Sequence, residues 1–213
     1  MRAVSITFDD GLIDSARLAT KLLPDARFTF YLVSGWLEGT VPVSDAGNAG
    51  LNHGTLAEWL ELGHDIGSHS HSHPMPYPPG YLADCEVSRS WFAERFPEPV
   101  HFAFPYCRVL HVPPGFKSYK AGEKTGLYNP LAPGPRSVLN GINPIWDYAT
   151  RRHRPFGSVF KILDEQPADS WLILTFHGIG EGWGPITADE FLSLGTYLAG
   201  SDHQLRTVSE MIP

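Results

Sequence analysis

Four short stretches of this 213-residue chain hold residue types that could hydrolyse an amide around a metal ion. Thr7-Phe8-Asp9-Asp10-Gly11 offers adjacent carboxylates, and His69-Ser70-His71-Ser72-His73-Pro74 offers imidazoles at i and i+4. Leu174-Thr175-Phe176-His177-Gly178 offers a further imidazole, and Phe104-Pro105-Tyr106 a stiff turn. Neutral imidazoles bind zinc at about 2.0–2.1 Å, and catalytic zinc keeps three protein ligands and an open position. One tight turn could aim His69 and His73 at a single point with His71 pointing away, although a histidine-rich surface loop has the same spacing. Asp9 and Asp10 at a strand end can diverge, one reaching a cation and one facing water, but Asp-Asp-Gly also reads as an ordinary acidic turn. A divalent cation keeps both carboxylates ionised. It also lowers the pKa of water from about 15.7 to roughly 7, so a neighbouring carboxylate can take a proton near neutrality. The departing amine needs a proton, a task suited to a histidine such as His177. The oxyanion needs a donor, and a backbone amide of the Phe104–Tyr106 turn can serve, with the Tyr106 ring as pocket wall. Alone, His177 reads as a structural strand-end histidine and the turn as a proline-stiffened loop.

These motifs need elements to position them, and the hydrophobic pattern supplies strands and helices in alternation. Arg2 to Phe8 alternates Val4, Ile6 and Phe8 with Ala3, Ser5 and Thr7 and reads as a buried strand. Further strands are expected at Phe28–Val33, Asp65–Ser68, Val100–Phe104, Ser137–Asn140, Trp171–Phe176 and Leu205–Val208. Helices are expected over Ser15–Leu23, Thr55–Leu62, Tyr81–Phe96, Gly157–Glu165 and Thr187–Leu198. Thr55-Leu-Ala-Glu58 and Thr187-Ala-Asp-Glu190 have capping-box spacing. Val109–Arg136 reads as one long loop whose Phe116, Tyr119 and Tyr128 could line a groove or an oligomer contact. The alternation predicts an α/β fold, a distorted parallel (β/α) barrel of about seven strands, with residues 1–213 forming one domain. Working residues in such barrels sit at the C-terminal ends of strands, where all four motifs fall.

Composition narrows the function classes. A net charge of -7 argues against a nucleic-acid surface or an anionic-membrane binder. No apolar run is long enough to span a bilayer. The N-terminus enters a strand at once, so no secretory signal is read and a cytoplasmic protein is expected, unless the chain is trimmed. Cys85 and Cys107 lack C-x-x-C spacing and read as ordinary thiols, although they could pair. His53, His64, His101, His111, His153 and His203 form no pattern and are assigned surface or packing roles.

In this order, the motifs resemble those of the polysaccharide deacetylases of carbohydrate esterase family four, the NodB-type domain, across nearly the whole chain. The resemblance implies Asp9 as general base, Asp10, His69 and His73 as ligands of one divalent metal, and His177 as general acid. Zinc is the expected ion, with cobalt, manganese and nickel as alternatives. Pro105 and Tyr106 would contact substrate, and Trp183 could stack on a sugar face or simply pack. Two departures stand out. Ala103 occupies the place of the third motif's arginine, which steadies the base, so Arg151 or Arg152 would have to supply that charge. The fourth motif, an Asp followed by Trp, is absent, and Trp146-Asp147 has the residues reversed.

The leading reading is a metal-dependent hydrolase that removes acetyl from an N-acetylated sugar or polysaccharide. One rival is an intracellular deformylase or cyclic-imide or ureide hydrolase with the same site. The other is a non-catalytic carbohydrate-binding domain. Oligomeric state is not read from sequence.

Overall fold

The computed structural model describes residues 1–42, 53–75, 79–96, 100–109, 111–122, 126–134, 136–147, 152–180 and 184–212. Its strands are β1 (Arg2–Phe8), β2 (Thr29–Leu32), β3 (Asp65–Ser68), β4 (Phe102–Ala103), β5 (Tyr119–Ala121) and β6 (Tyr128–Pro130). They continue with β7 (Val138–Ile142), β8 (Trp146–Asp147), β9 (Arg152–His153), β10 (Ser170–Phe176) and β11 (His203–Leu205). The helices are α1 (Ile13–Leu22), α2 (Ser34–Glu38), α3 (His53–Glu61), α4 (Tyr81–Ala93), α5 (Ser158–Asp164), α6 (Ala188–Ala199) and α7 (Val208–Met211).

Seven parallel strands close on themselves in the order β1-β2-β3-β4-β5-β7-β10, and β10 returns to β1 over all seven residues from Arg2↔Ser170 to Phe8↔Phe176. This is the distorted (β/α) barrel expected from the alternation. The distortion has a visible origin. β2 meets β1 only at Thr7 and Phe8, while β11 takes the other end of β1 from Arg2 to Val4. Likewise β6, antiparallel, takes β10 from Ser170 to Leu172, and β7 pairs it at Ile173 and Leu174. The barrel is therefore splayed at its N-terminal end. α7 seals that end with Val208 and Met211, which pack against Ala3, Leu139, Trp171 and Ile173.

Alternation along each strand sorts the side chains into two layers. Val4, Ile6 and Phe8 face outward into the larger core beneath the helices. There Phe8 lies 5.6–5.9 Å, centroid to centroid, from Phe28, Phe30, Phe176 and Phe191. Full burial of each such ring contributes about 1.5–3 kcal/mol. The odd-numbered residues of β1, β2, β3 and β10 turn inward, and near the top of the barrel they are polar or small.

Most expected elements are present, shifted by one to three residues at their ends. The Val109–Arg136 segment is the main correction, because β5 and β6 lie within it. Phe116 and Tyr119 are buried rather than groove-lining, with Phe116 4.7 Å from the Phe102 ring. Three-residue strands are too short to display a period, which is why the pattern dissolved there. α3 starts at His53, so Thr55 is not its N-cap. Thr187 does cap α6 through a full capping box with Glu190. Val208, expected in the last strand, instead opens α7 after a second box between Thr207 and Glu210. Cys85 and Cys107 do not form a disulfide. Among the described residues no helix is long and apolar enough to cross a membrane.

Candidate active site

The inward register of the strands carries straight into the site. Asp9 continues the inward parity of Thr7, and its N–H extends the β1–β10 ladder to Phe176 O at 2.9 Å. His177 continues the parity of Thr175 on β10. Because Phe8 pairs with Phe176, Asp9 and His177 emerge side by side. His69 follows β3 in the same way, its N–H bonded to Leu32 O at 2.8 Å. Asp10 then adopts a left-handed backbone (φ 72°) before Gly11 (φ 75°), which turns its carboxylate away from Asp9 and toward the β3 loop. Ser70, His73, Tyr106 and Cys107 are left-handed too, so five of the seven described non-glycine residues with positive φ crowd this rim. Such backbone persists only where surrounding contacts enforce it, and it clusters at functional sites.

Asp10, His69 and His73 each present a ligand atom, and these atoms lie within 4.8 Å of one another. Nε2 of His69 and Nε2 of His73 are each 3.5 Å from Asp10 Oδ1. Donors bonded at 2.0–2.1 Å to one tetrahedral ion stand roughly 3.3 Å apart. Nδ1 of His69 is 2.9 Å from the Ala103 carbonyl, which can only accept, so the ring proton sits on Nδ1 and Nε2 offers a lone pair inward. Burial pushes the Asp10 carboxyl up to about 6 and the His69 ring down to about 3, and His73 is lowered as well. A carboxylate between two imidazoles kept neutral fits a divalent cation. His71 turns away, its Nδ1 3.0 Å from Ser34 Oγ.

The β3 loop is held by groups the motif does not contain. Ser34 and Gly35 at the start of α2 donate backbone N–H groups to the carbonyls of Ser70 (3.2 Å) and His71 (2.8 Å). From the first turn of α4, the Asp84 carboxylate accepts from His71 N–H at 2.9 Å, from Ser72 N–H at 3.1 Å and from the Ser72 hydroxyl. Asp84→Ala is expected to weaken metal binding about 10–100-fold without removing a ligand, which a competitive chelator titration would read. An unchanged affinity would remove Asp84 from the loop's support.

Asp9 is buried, and burial alone would raise its pKa. Burial is the largest single influence, but the charge and hydrogen bond of the Lys120 ammonium, together with His69 and His177, outweigh it and hold the carboxyl below its ordinary value. Nζ of Lys120 lies 2.8 Å from both Asp9 oxygens, 3.2 Å from Thr175 Oγ1 and 4.9 Å from the centre of the Tyr31 ring. Among the described residues the cation that pairs with Asp9 is Lys120, which the sequence reading did not name. Arg152 is exposed on the β8–β9 hairpin, and Arg151 lies outside the described residues. Gly141 makes room for Lys120: a Cβ there would come 2.8 Å from Thr175 Oγ1 and 3.2 Å from Lys120 Cγ. Only the position of Lys120 midway along β5 could have hinted at this role, and no acidic neighbour in sequence marks it.

His177 is half-buried, and desolvation of its ring lowers its pKa to about 4 despite the nearby Asp9 carboxylate; its Nδ1 is 3.5 Å from Asn143 Nδ2. Tyr106 is half exposed, its ring 4.7 Å from that of His73, and Pro105 beneath it is buried. Trp36 closes the other side, 5.8 Å from His73. Trp183 lies outside the described residues. One pocket rim therefore gathers Asp9, Asp10, His69, His73, Tyr106 and His177.

Two further buried histidines bear out the packing role assigned to them. His64 accepts the Phe28 N–H on Nδ1 (3.1 Å), and His101 lies 2.7 Å from Ser118 Oγ. Burial lowers each to about 4, against roughly 6.5 in an unfolded chain. His69 and His177 shift the same way, and Asp10 alone among the described groups of the site opposes them. The unfolded chain therefore binds more protons between about pH 6.5 and 4, and stability falls as pH falls through that window. Urea midpoints measured in chelator should drop steadily from pH 7 to 4, and a flat profile would contradict it.

Structural comparison finds solved structures that share this fold. The peptidoglycan deacetylase PdaC from Bacillus subtilis superposes with a TM-score of 0.62 at 18% identity, over 98% of this chain and 89% of that one. The chitin deacetylase from the fungal pathogen Colletotrichum lindemuthianum superposes with a TM-score of 0.61 at 18% identity, over 99% and 87%. A mutant of BA3943, a CE4 family pseudoenzyme, superposes with a TM-score of 0.59 at 11% identity, over 99% and 67%. At these identities the likeness shows the fold. No curated protein sequence matches the chain significantly. The sequence profile described as polysaccharide deacetylase matches residues 1–111, more than half of the chain, which includes Asp9, Asp10, His69, His73 and Tyr106. The chain belongs to the polysaccharide deacetylase family.

Proposed function

We propose that this protein is a metal-dependent hydrolase that removes acetyl from an N-acetylated sugar or polysaccharide, with residues 1–213 as one catalytic domain. The observation that carries this reading is the adjacency of two units on neighbouring strand ends. One is the Asp10–His69–His73 donor set; the other is an Asp9 carboxylate kept ionised by Lys120. A divalent cation held by those three donors, zinc in the first instance, supplies a Lewis acid for the acetyl carbonyl and makes water acidic enough to react near neutrality. Asp9 accepts the proton that water gives up. The turn at Pro105 and Tyr106 presents a backbone amide toward the oxyanion, and the Tyr106 ring walls the pocket. His177 acts at the departing nitrogen.

The test is zinc-loaded protein incubated with N-acetylglucosamine oligomers and with a panel of formamides, cyclic imides and ureides. Acetate and free amine should appear together, cease with chelation and return with metal. Formate release or ring opening without acetate would favour the small-molecule hydrolase. Sugar binding with no release and no metal uptake would favour a binding domain.

A further inference from the structure

If Asp9 takes the proton of water, as proposed above, its carboxylate depends on how the lysine beside it is held. Lys120 reaches into the barrel from β5 on a flexible stem, and the strands on either side leave it room. Ala103 of β4 is its register partner, and a Cβ on Gly141 of β7 would come 3.2 Å from its Cγ. The ammonium donates to both Asp9 oxygens at 2.8 Å and to Thr175 Oγ1 at 3.2 Å, which uses its three protons. Those partners stand on β1 and β10.

Tyr31 enters from β2, and Nζ of Lys120 lies over its ring, 4.9 Å from the centre. The ring can lie there because its register partner on β3 is Gly67, where a Cβ would come 2.6 Å from two ring carbons. Tyr31 is fully buried, yet its hydroxyl has no hydrogen-bond partner among the described residues. A buried hydroxyl without a partner is destabilising, so the hydroxyl does not account for the ring's place. The face does, because it attracts a cation and excludes water from it. The carboxylate attracts the ammonium more strongly than any ring, so the contribution of the ring is aim and dryness. Water admitted beside Nζ would compete with Asp9 for its protons, and an unsupported stem could swing to other rotamers.

We propose that Tyr31 is a positioning residue whose ring, and not its hydroxyl, keeps the Lys120 ammonium dry and aimed at Asp9. The placement can be measured without substrate. In 15N-lysine-labelled protein, a slowly exchanging ammonium signal, identified by its loss in K120M, should be present in wild type and Y31F. It should be lost in Y31L, or in Y31M should Y31L not fold. A wild-type protein without this signal, or a ringless variant that keeps it, would overturn the proposal. In zinc-loaded enzyme, Y31L should lower kcat about 3–30-fold with KM and metal content unchanged. Y31F should restore kcat, with a urea midpoint no lower than that of wild type. Y31F as slow as Y31L would transfer the role to the hydroxyl and overturn the assignment. In a K120M background the Tyr31→Leu change should cost no further turnover, since no ammonium remains to be held. An equal loss in both backgrounds would reduce Tyr31 to packing. A Lys120 signal that depends on the ring, in a protein that hydrolyses no substrate, would overturn the deacetylase reading while upholding the placement.

Discussion

Asp9→Asn is expected to lower turnover by about 10²–10⁴-fold while leaving metal content unchanged. Asp9 lies outside the donor set of Asp10, His69 and His73, so the ion keeps its three ligands. What the substitution removes is the carboxylate that accepts the proton of water, and an amide oxygen cannot replace it near neutral pH. The loss should appear in kcat, because nothing assigned to substrate contact has changed. Metal analysis beside steady-state kinetics on an N-acetylglucosamine oligomer checks both halves. Full activity would dismiss Asp9 as the base, and loss of metal would place it among the ligands.

Lys120→Met should impair both turnover and stability, because Lys120 and Asp9 form a buried pair. Nζ touches both carboxylate oxygens at 2.8 Å, with both side chains only 2% exposed. Removing one member leaves the other charge buried without its partner, a loss of about 3–5 kcal/mol. Burial, no longer opposed by the ammonium, then raises the Asp9 pKa, so less of the base is ionised at neutral pH. Replacing both charges tests this origin. Asp9→Asn with Lys120→Met should be more stable than Lys120→Met alone, since no uncompensated charge remains. Urea unfolding of the two single variants and the double variant reads the coupling directly. Independent, additive losses would show that the pair is not the unit drawn here.

The candidate ligands and the proposed base were legible because their signals are local. His69 and His73 lie four residues apart, Asp9 and Asp10 are adjacent, and each group follows a strand whose apolar alternation runs over several residues. Their gathering into one rim follows from a rule about strand ends rather than from any pairwise signal. Lys120 was not legible: its strand has three residues, and its partner is 111 positions away in sequence. Arg151 and Arg152 draw attention in the sequence because they cluster, yet Arg152 is exposed on a hairpin.

By itself, the sequence determined the alternating fold, the candidate metal donors and the family, because periodic burial and short motifs are written along contiguous residues. Tertiary structure alone decided which cation pairs with Asp9 and what seals the barrel's splayed end. Closing the sheet brings β5, β7 and β10 side by side, with β1 next to β10. Contacts across a barrel interior depend on strand order and register, which no local stretch of chain encodes.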